Sequence, residues 1–461
     1  MGQRVRADNP AEMPLENGLT AYLGDICVAM HDADLPLGVL RLARHCFLDW
    51  AAVTIAGARE PLSGIIGAAL APEAQGGVCS LAGAGRRCGA SEAALINGTL
   101  GHALDFDDVN ARMQGHPSVA LMPAIMAIAE ANGRSGGDAL RAFVGGYQVA
   151  SRLGAALGGS HYARGFHATA TVGSVAAAAG CAILLRLDSE QTRIALALAA
   201  TQAGGLKASF GTMAKPLHAG KAAANGVLAV RLAQHGFSAR ADTLEHGQGL
   251  GAAMSDDFQP ERAASAAPEW EIEDNLFKYH ASCYLTHSSI EALSRLVARD
   301  GISPEDVSGV RIHVPAGHRK VCDILHPRTG LDIKFSIRHL AALALYGENT
   351  AALPLYSEAT ANDPRYTALR SKVTVVDDPG QPGFGARVCV DMTDGRSCVA
   401  EHDVGAPVRD LDVQEKMLRQ KAATLVTPIL GAAAAEQLFA AVDALETAGS
   451  VADYMSLITA V

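Results

Sequence analysis

From about residue 20 to residue 240 the chain keeps one rhythm. Apolar positions recur three and four apart, filled by Ala, Leu, Val and Gly, and no β-alternation interrupts them. "LRLARHCFLDWAAVTIAG" carries an apolar stripe and stops at Gly57, and "SEAALINGTLGHALDF" opens with Ser91 as the expected N-cap and Glu92 in the first turn. "SVALMPAIMAIAEANG" ends on Asn132 and Gly133, and "DALRAFVGGYQVASRLGAALGG" starts at Asp138. "TATVGSVAAAAGCAILLRL" and "SEQTRIALALAATQAGG" are separated by the cap signal Asp188, Ser189, and "PLHAGKAAANGVLAVRLAQHG" opens on Pro216. With aromatics at only 5%, the buried surfaces must be made of small side chains that let backbones approach closely. That favours helix packed on helix. Seven successive helices predict an all-α domain.

Near residue 270 the texture changes. "SGVRIHVPAG" and "SKVTVVDDP" are short β-branched runs, and "ARVCVDMTDGRSCVAEHDV" reads as two strands around an Asp394, Gly395 turn. "HSSIEALSRLVARDG" and "SIRHLAALALYGE" between them read as helices, and "VQEKMLRQKAATLV" and "AAAAEQLFAAVDALE" return to helix after them. At 461 residues two or three domains are expected. The predicted fold is mainly α: a large all-helical domain from residues 18–267 together with 404–461, and a smaller α+β domain over 268–403. The polar, glycine-containing stretch after Gly236 is expected to be a long loop, and the first dozen residues to be loose. No internal repeat is evident.

A formal charge of −10 argues against nucleic acid as a partner, because binding phosphate needs basic surface. No apolar run is read as reaching the roughly 18 residues of a membrane span. The polar opening lacks the apolar core of a signal peptide, so a cytoplasmic protein is expected. Nine cysteines without a CxxC pair read as reduced, mostly buried thiols, and their spacing offers no iron–sulfur ligand set.

Five stretches carry ionisable residues where an apolar helix pattern would not place them. In "GHALDFDDVNARMQGHP" (101–117), His102 and Asp105 are three apart, as on one helix face, while Asp107 points elsewhere and His116 follows a polar loop. A metal site, an acid–base site and a solvated helix end all fit this segment, although HExxH and paired Cys/His spacings are absent. In "RGFHATATVGS", His167 precedes a helix. In "GTMAKPLHAGKAAANG", Lys215, His218 and Lys221 crowd a helix N-terminus, a costly place for cations unless an anion joins them. "FKYHASCYLTHSS" offers Lys278, His280, Cys283 and His287 where the two domains join, and in "HPRTGLDIKFSIRHLAALAL" Arg328, Lys334 and Arg338 either hold a carboxylate or decorate the surface.

Taken in order, these five stretches resemble the MmgE/PrpD family, which contains 2-methylcitrate dehydratase, cis-aconitate decarboxylase and iminodisuccinate epimerase. The resemblance runs from about residue 18 to 455 and is densest at "INGTLGHALDFDDV", "GFHATATVGSVAAAA", "GTMAKPLHAGKAAANG", "FKYHASCYLTH" and "KFSIRHLAALAL". It implies a homodimer whose smaller domain acts as a lid, a small di- or tricarboxylate as substrate, and no metal, nucleotide or other cofactor. By motif position, Asp105 matches an active-site aspartate, His116 the histidine facing it, Lys215 and Lys278 site lysines, and His167 a position on the rim. His102, His167, His218, Cys283, His287 and Arg328 complete the expected substrate-binding set. Asp107 and Asp108 fall to second-rank or structural duty. Two departures stand out: Val109 where the pattern often reads DFDDT, and Cys283 where the decarboxylase pattern has a histidine.

The chemistry implied is removal of a proton from carbon next to a carboxylate, which needs a base at that carbon and fixed cations for the growing charge. Asp105 and His116 are the expected acid–base pair, Lys215 and Lys278 the carboxylate clamps. A hydro-lyase is the primary expectation. An epimerase of a dicarboxylate such as iminodisuccinate, a decarboxylase, and a non-catalytic carboxylate binder are the alternatives.

Overall fold

The computed structural model describes residues 15–70, 76–265 and 268–459, so the expectation for the first dozen residues lies outside the described part. The chain forms two compact units. The first takes the described residues up to Phe277 and those from Arg409 onward; the second runs from Lys278 to Val408. These junctions differ from the 267/268 and 403/404 positions read in the sequence. The segment after residue 268 stays with the first unit because Trp270 and Ile272 are buried there and Leu276 pairs antiparallel with Val109. Arg409 joins it by donating to the Glu273 carbonyl and the Asp274 carboxylate.

The first unit opens with α1 (Leu19–Ala29), α2 (Leu37–Gly57), α3 (Pro61–Ala69), α4 (Ala90–Gly101) and α5 (Ser118–Asn132). It continues through α6 (Gly136–Ala163), α7 (Ala168–Leu185), α8 (Ser189–Thr201), α9 (Ala214–Gln234) and the short α10 (Leu250–Met254). Helices α1 and α3 are absent from the sequence reading, as is α10 in the expected loop. A two-stranded ribbon of β1 (Cys79–Ser80) and β2 (Arg87–Cys88) qualifies the all-helical expectation for this unit. Helix α4 is capped by Gly89 rather than Ser91, and α9 starts two residues before Pro216. Asp188 does cap α8, forming a capping box with Gln191.

Helix α7 lies in the middle of this unit, with Ala168 through Leu184 buried. By length and composition it is apolar enough to cross a membrane, which corrects the reading that no run is; 94% of it is covered by the protein itself. Small residues let its neighbours close up. At the α4–α9 crossing Gly98 faces Gly220, and a Cβ on Gly220 would run into the Leu95 carbonyl and the Thr99 hydroxyl. After the second unit the chain returns as α17 (Leu411–Leu430), α18 (Ala432–Asp443) and α19 (Ala452–Thr459). Helix α17 packs on α2, and its buried Lys421 donates to Asp49 Oδ1 at 2.5 Å and to the Phe106 carbonyl at 2.7 Å. The last helices thereby anchor the loop that follows α4.

The second unit is α+β. A four-stranded sheet has the order β4 (Val373–Asp377), β3 (Val307–Val314), β5 (Gly385–Met392), β6 (Ser397–Asp403), with β3 parallel to β4 and the other pairs antiparallel. The β5–β6 hairpin turns where expected, with Gly395 at φ 91°. Helices α11 (His287–Asp300) and α14 (Ile337–Leu345) pack on the sheet, joining Leu293, Leu296 and Leu340 to Val310, Ile312 and Val388 in one core. The short helices α12 (Ala316–Cys322), α13 (Gly330–Lys334), α15 (Glu358–Asn362) and α16 (Pro364–Arg370) fill the connections.

Candidate active site

Helix α4 ends at Gly101, so the ionisable residues that follow sit on a loop and not on a helix face. His102 is the C-cap, its carbonyl accepts the Asp105 N–H, and Asp105 adopts a left-handed φ of 50°. Asp tolerates that conformation better than most residues, because its short side chain bonds locally. A tight turn follows in which Asn110 and Gly115 exchange backbone hydrogen bonds and the Asn110 side chain accepts the Met113 N–H. This turn brings His116 back over the start of the loop, where its N–H donates to Thr169 Oγ1 at 3.1 Å.

Two imidazoles then meet at Asp107, which is fully buried. His102 Nδ1 lies 2.8 Å from Asp107 Oδ1, and His116 Nδ1 lies 3.0 Å from Asp107 Oδ2 and 2.9 Å from the Asp108 carbonyl oxygen. Carboxylate and carbonyl oxygens only accept, so both Nδ1 atoms must carry the proton. Each Nε2 is left with its lone pair. His116 Nε2 points at Asp105, 3.6 Å from Oδ1, and Lys215 Nζ stands 2.8 Å from the same oxygen. Lys215 is the second residue of α9, where the helix dipole disfavours a cation; the Asp105 carboxylate offsets that cost.

Behind this face, His167 caps α7 and stacks on His102 with ring centroids 5.8 Å apart. Its Nδ1 is 3.1 Å from His218 Nδ1, and Phe210 meets its ring edge-on. Burial and the neighbouring cationic groups push His167 far below the usual imidazole range, and burial lowers His102 to about 4 despite Asp107. Asp107 itself is held well below the ordinary carboxylate range: burial opposes this, but the two imidazole donors prevail. Asp108 goes the other way. Burial, with Asp49 and Asp107 nearby, raises it to about 7, against the Ser118 hydroxyl that donates to it at 2.5 Å.

The structure therefore gathers His102, Asp105, His116, His167, Lys215 and His218 in the first unit. It sets His167 in the buried cluster, takes His102 and Asp105 off a common helix face, and places Asp107 against the Nδ1 atoms of His102 and His116. Helical periodicity hid Asp107, because spacing on a loop does not reveal direction. In the second unit, Lys278 is buried at the junction, and Cys283 and His287 lie on one short segment, where the Cys283 N–H donates to the Lys334 carbonyl. His287 Nε2 is 3.3 Å from the Ser282 carbonyl and its ring stands against His280 and Tyr284. Arg328 is exposed and contributes its N–H to the Asp332 cap of α13. Among the described residues, one cluster offers metal-type donors: His102, Asp105, Asp107 and His116.

Comparison with known proteins agrees with this layout. Residues 22–263 match the MmgE/PrpD N-terminal domain and residues 280–447 the MmgE/PrpD C-terminal domain. The chain is 28% identical over 477 residues to the cis-aconitate decarboxylase-like protein oryM of Aspergillus oryzae, covering 96% of this chain and 98% of that one. It is 30% identical to a cis-aconitate decarboxylase of Aspergillus terreus over 322 residues, 66% of each chain. It is 34% identical to the cis-aconitate decarboxylase of Homo sapiens over 242 residues, 48% of this chain and 49% of the human one. Because both domain descriptions match in order and together span most of its length, the chain belongs to the MmgE/PrpD family.

Proposed function

We propose that this protein is a lyase that moves a proton at the carbon next to a carboxylate of a small di- or tricarboxylate. The observation that carries the reading is the convergence on Asp105 Oδ1, with Lys215 Nζ at 2.8 Å and His116 Nε2 at 3.6 Å. His116 is the base: its Nδ1–H is committed to Asp107 and Asp108, so Nε2 is free to take the proton. Removing it leaves a dianionic carboxylate, and the Lys215 ammonium supplies the fixed positive charge for it. Asp105 holds that ammonium in place, and the proton taken up by His116 Nε2 passes to its Oδ1, 3.6 Å away, and from there to the departing hydroxyl or back to carbon.

A hydro-lyase acting on a hydroxy-tricarboxylate of the 2-methylcitrate type is the first reading. Val109 stands where the dehydratase and decarboxylase pattern often carries a threonine, and the missing hydroxyl favours an epimerase or isomerase of a dicarboxylate as an alternative. Decarboxylation of cis-aconitate is the second, favoured by the names of the relatives. A homodimer in the cytoplasm is part of the same proposal.

The purified protein is incubated in heavy water with 2-methylcitrate, citrate, tartrate, iminodisuccinate and cis-aconitate, and proton exchange, alkene formation and CO2 release are followed by NMR. Alkene formation from a hydroxy acid supports the first reading, and CO2 release from cis-aconitate the second. Exchange without net loss of water or CO2 marks an epimerase. No exchange above the uncatalysed rate with any of them overturns the substrate class.

A further inference from the structure

His102, Asp105, Asp107 and His116 each offer one ligand atom, and the four atoms lie within 4.8 Å of one another. Two imidazoles and two carboxylates form the borderline donor set that suits zinc-type ions better than magnesium or calcium. The 3.6 Å from His116 Nε2 to Asp105 Oδ1 is close to the separation of two donors on one tetrahedral zinc ion, roughly 3.4 Å for bonds of about 2.1 Å. His102 Nε2 is buried, carries a lone pair and has no hydrogen-bond partner. Asp107 accepts from His102 Nδ1 and the Asp108 carbonyl from His116 Nδ1, the support that metal-binding histidines regularly carry behind them.

The Lys215 ammonium stands 2.8 Å from Asp105 Oδ1. One ammonium neutralises half the charge of two carboxylates, whereas a divalent ion neutralises all of it. We propose that His102, Asp105 and His116, with Asp107 behind the imidazoles, form an inhibitory site for a divalent transition-metal ion of the zinc class, which competes with the Lys215 ammonium for Asp105. The ion is an inhibitor and not a cofactor: it takes up the lone pair of His116 and frees Lys215 from its anchor, so the proton transfer stops.

The signature of this competition is its sign. Equilibrium dialysis of the full chain against zinc chloride, with cobalt(II) absorption as a second readout, is expected to find one saturable ion per chain and none with magnesium. Lys215→Ala, which removes the competing cation, should tighten zinc binding at least tenfold. His116→Ala and Asp105→Asn should each weaken it at least tenfold, while His235→Ala, an exposed histidine on another surface, should leave it unchanged. Circular dichroism confirms that each variant is folded, and two weakening variants keep the test open if one is not. Unchanged or weaker binding in Lys215→Ala overturns the proposal, as does wild-type binding in both His116→Ala and Asp105→Asn. A thiolate-to-cobalt charge-transfer band would put the ion on a cysteine and overturn it too. The readout is binding, so its failure leaves the lyase reading untouched.

Discussion

Replacing Asp107 with Asn keeps the shape of the side chain and removes its charge. Asp107 Oδ1 accepts from His102 Nδ1–H at 2.8 Å in a fully buried position, and its Oδ2 lies 3.0 Å from His116 Nδ1, whose N–H is directed at the Asp108 carbonyl. An Asn amide has one accepting oxygen, so one imidazole would face an NH2 group and meet it donor to donor. If that imidazole is His116, its Nδ1–H keeps the Asp108 carbonyl but loses the carboxylate charge beside it, so Nε2 becomes a weaker base. A hydrogen bond to a charged group contributes about 1.5–3 kcal/mol, so the expected fall in kcat is roughly ten- to 150-fold. KM should change little, because Asp107 is buried beneath the imidazoles and does not face substrate. The assay is the initial rate on the substrate found by the heavy-water panel, together with 15N shifts of the imidazoles, which report the tautomer without any substrate. A folded Asp107→Asn protein with kcat within twofold of wild type would refute the assignment.

Three further outcomes follow from the packing. Lys421→Met should destabilise the fold by about 3–5 kcal/mol in urea denaturation, since it leaves the buried Asp49 carboxylate without the ammonium 2.5 Å away and frees the Phe106 carbonyl. Gly220→Ala should force α9 away from α4, costing more than about 1 kcal/mol by overpacking and lowering activity by shifting Lys215 from Asp105; a variant with wild-type melting temperature and rate contradicts that route. The third concerns pH. His339 is buried, its Nδ1 faces the Arg370 guanidinium at 3.3 Å, and burial with that cation lowers it from 6.5 to about 4. A group with a depressed folded value binds its proton more readily when unfolded, so its stability contribution is full above pH 6.5 and is lost as the pH falls towards 4. His339→Gln keeps an acceptor for Arg370 but cannot titrate, and it should flatten the dependence of the second unit's melting temperature across that window. An unchanged slope would exclude His339 as its source.

Much of the fold is legible in the sequence where side-chain pattern and packing agree. Helices α2, α5, α8 and α11 follow from their stripes and caps, and the β5–β6 hairpin follows from Asp394 and Gly395. The missed elements lack a pattern to read. Helix α1 buries Leu19, Tyr22, Leu23 and Ile26 together with Thr20 and Gly24, so it has no clear polar face. Strands β1 and β2 are two residues long, too short for an alternation. The boundary at Phe277 depends on the Val109–Leu276 pairing, a contact between segments far apart in sequence.

The residue types of the site were also legible: an apolar chain that keeps His102, Asp105, His116, His167, Lys215 and His218 in buried or half-buried positions incurs desolvation costs that packing alone does not require. Sequence alone therefore determined which side chains are exceptional and which helices carry them, because period and burial are written residue by residue. Only the tertiary structure decided that Asp107 and the Asp108 carbonyl back the two imidazoles at Nδ1, and that Lys215 meets Asp105. Direction on a loop is set by what the loop packs against. Here that is α7 through Thr169, α9 across the Gly98–Gly220 approach, and α17 through Lys421, none of which is near the loop in sequence.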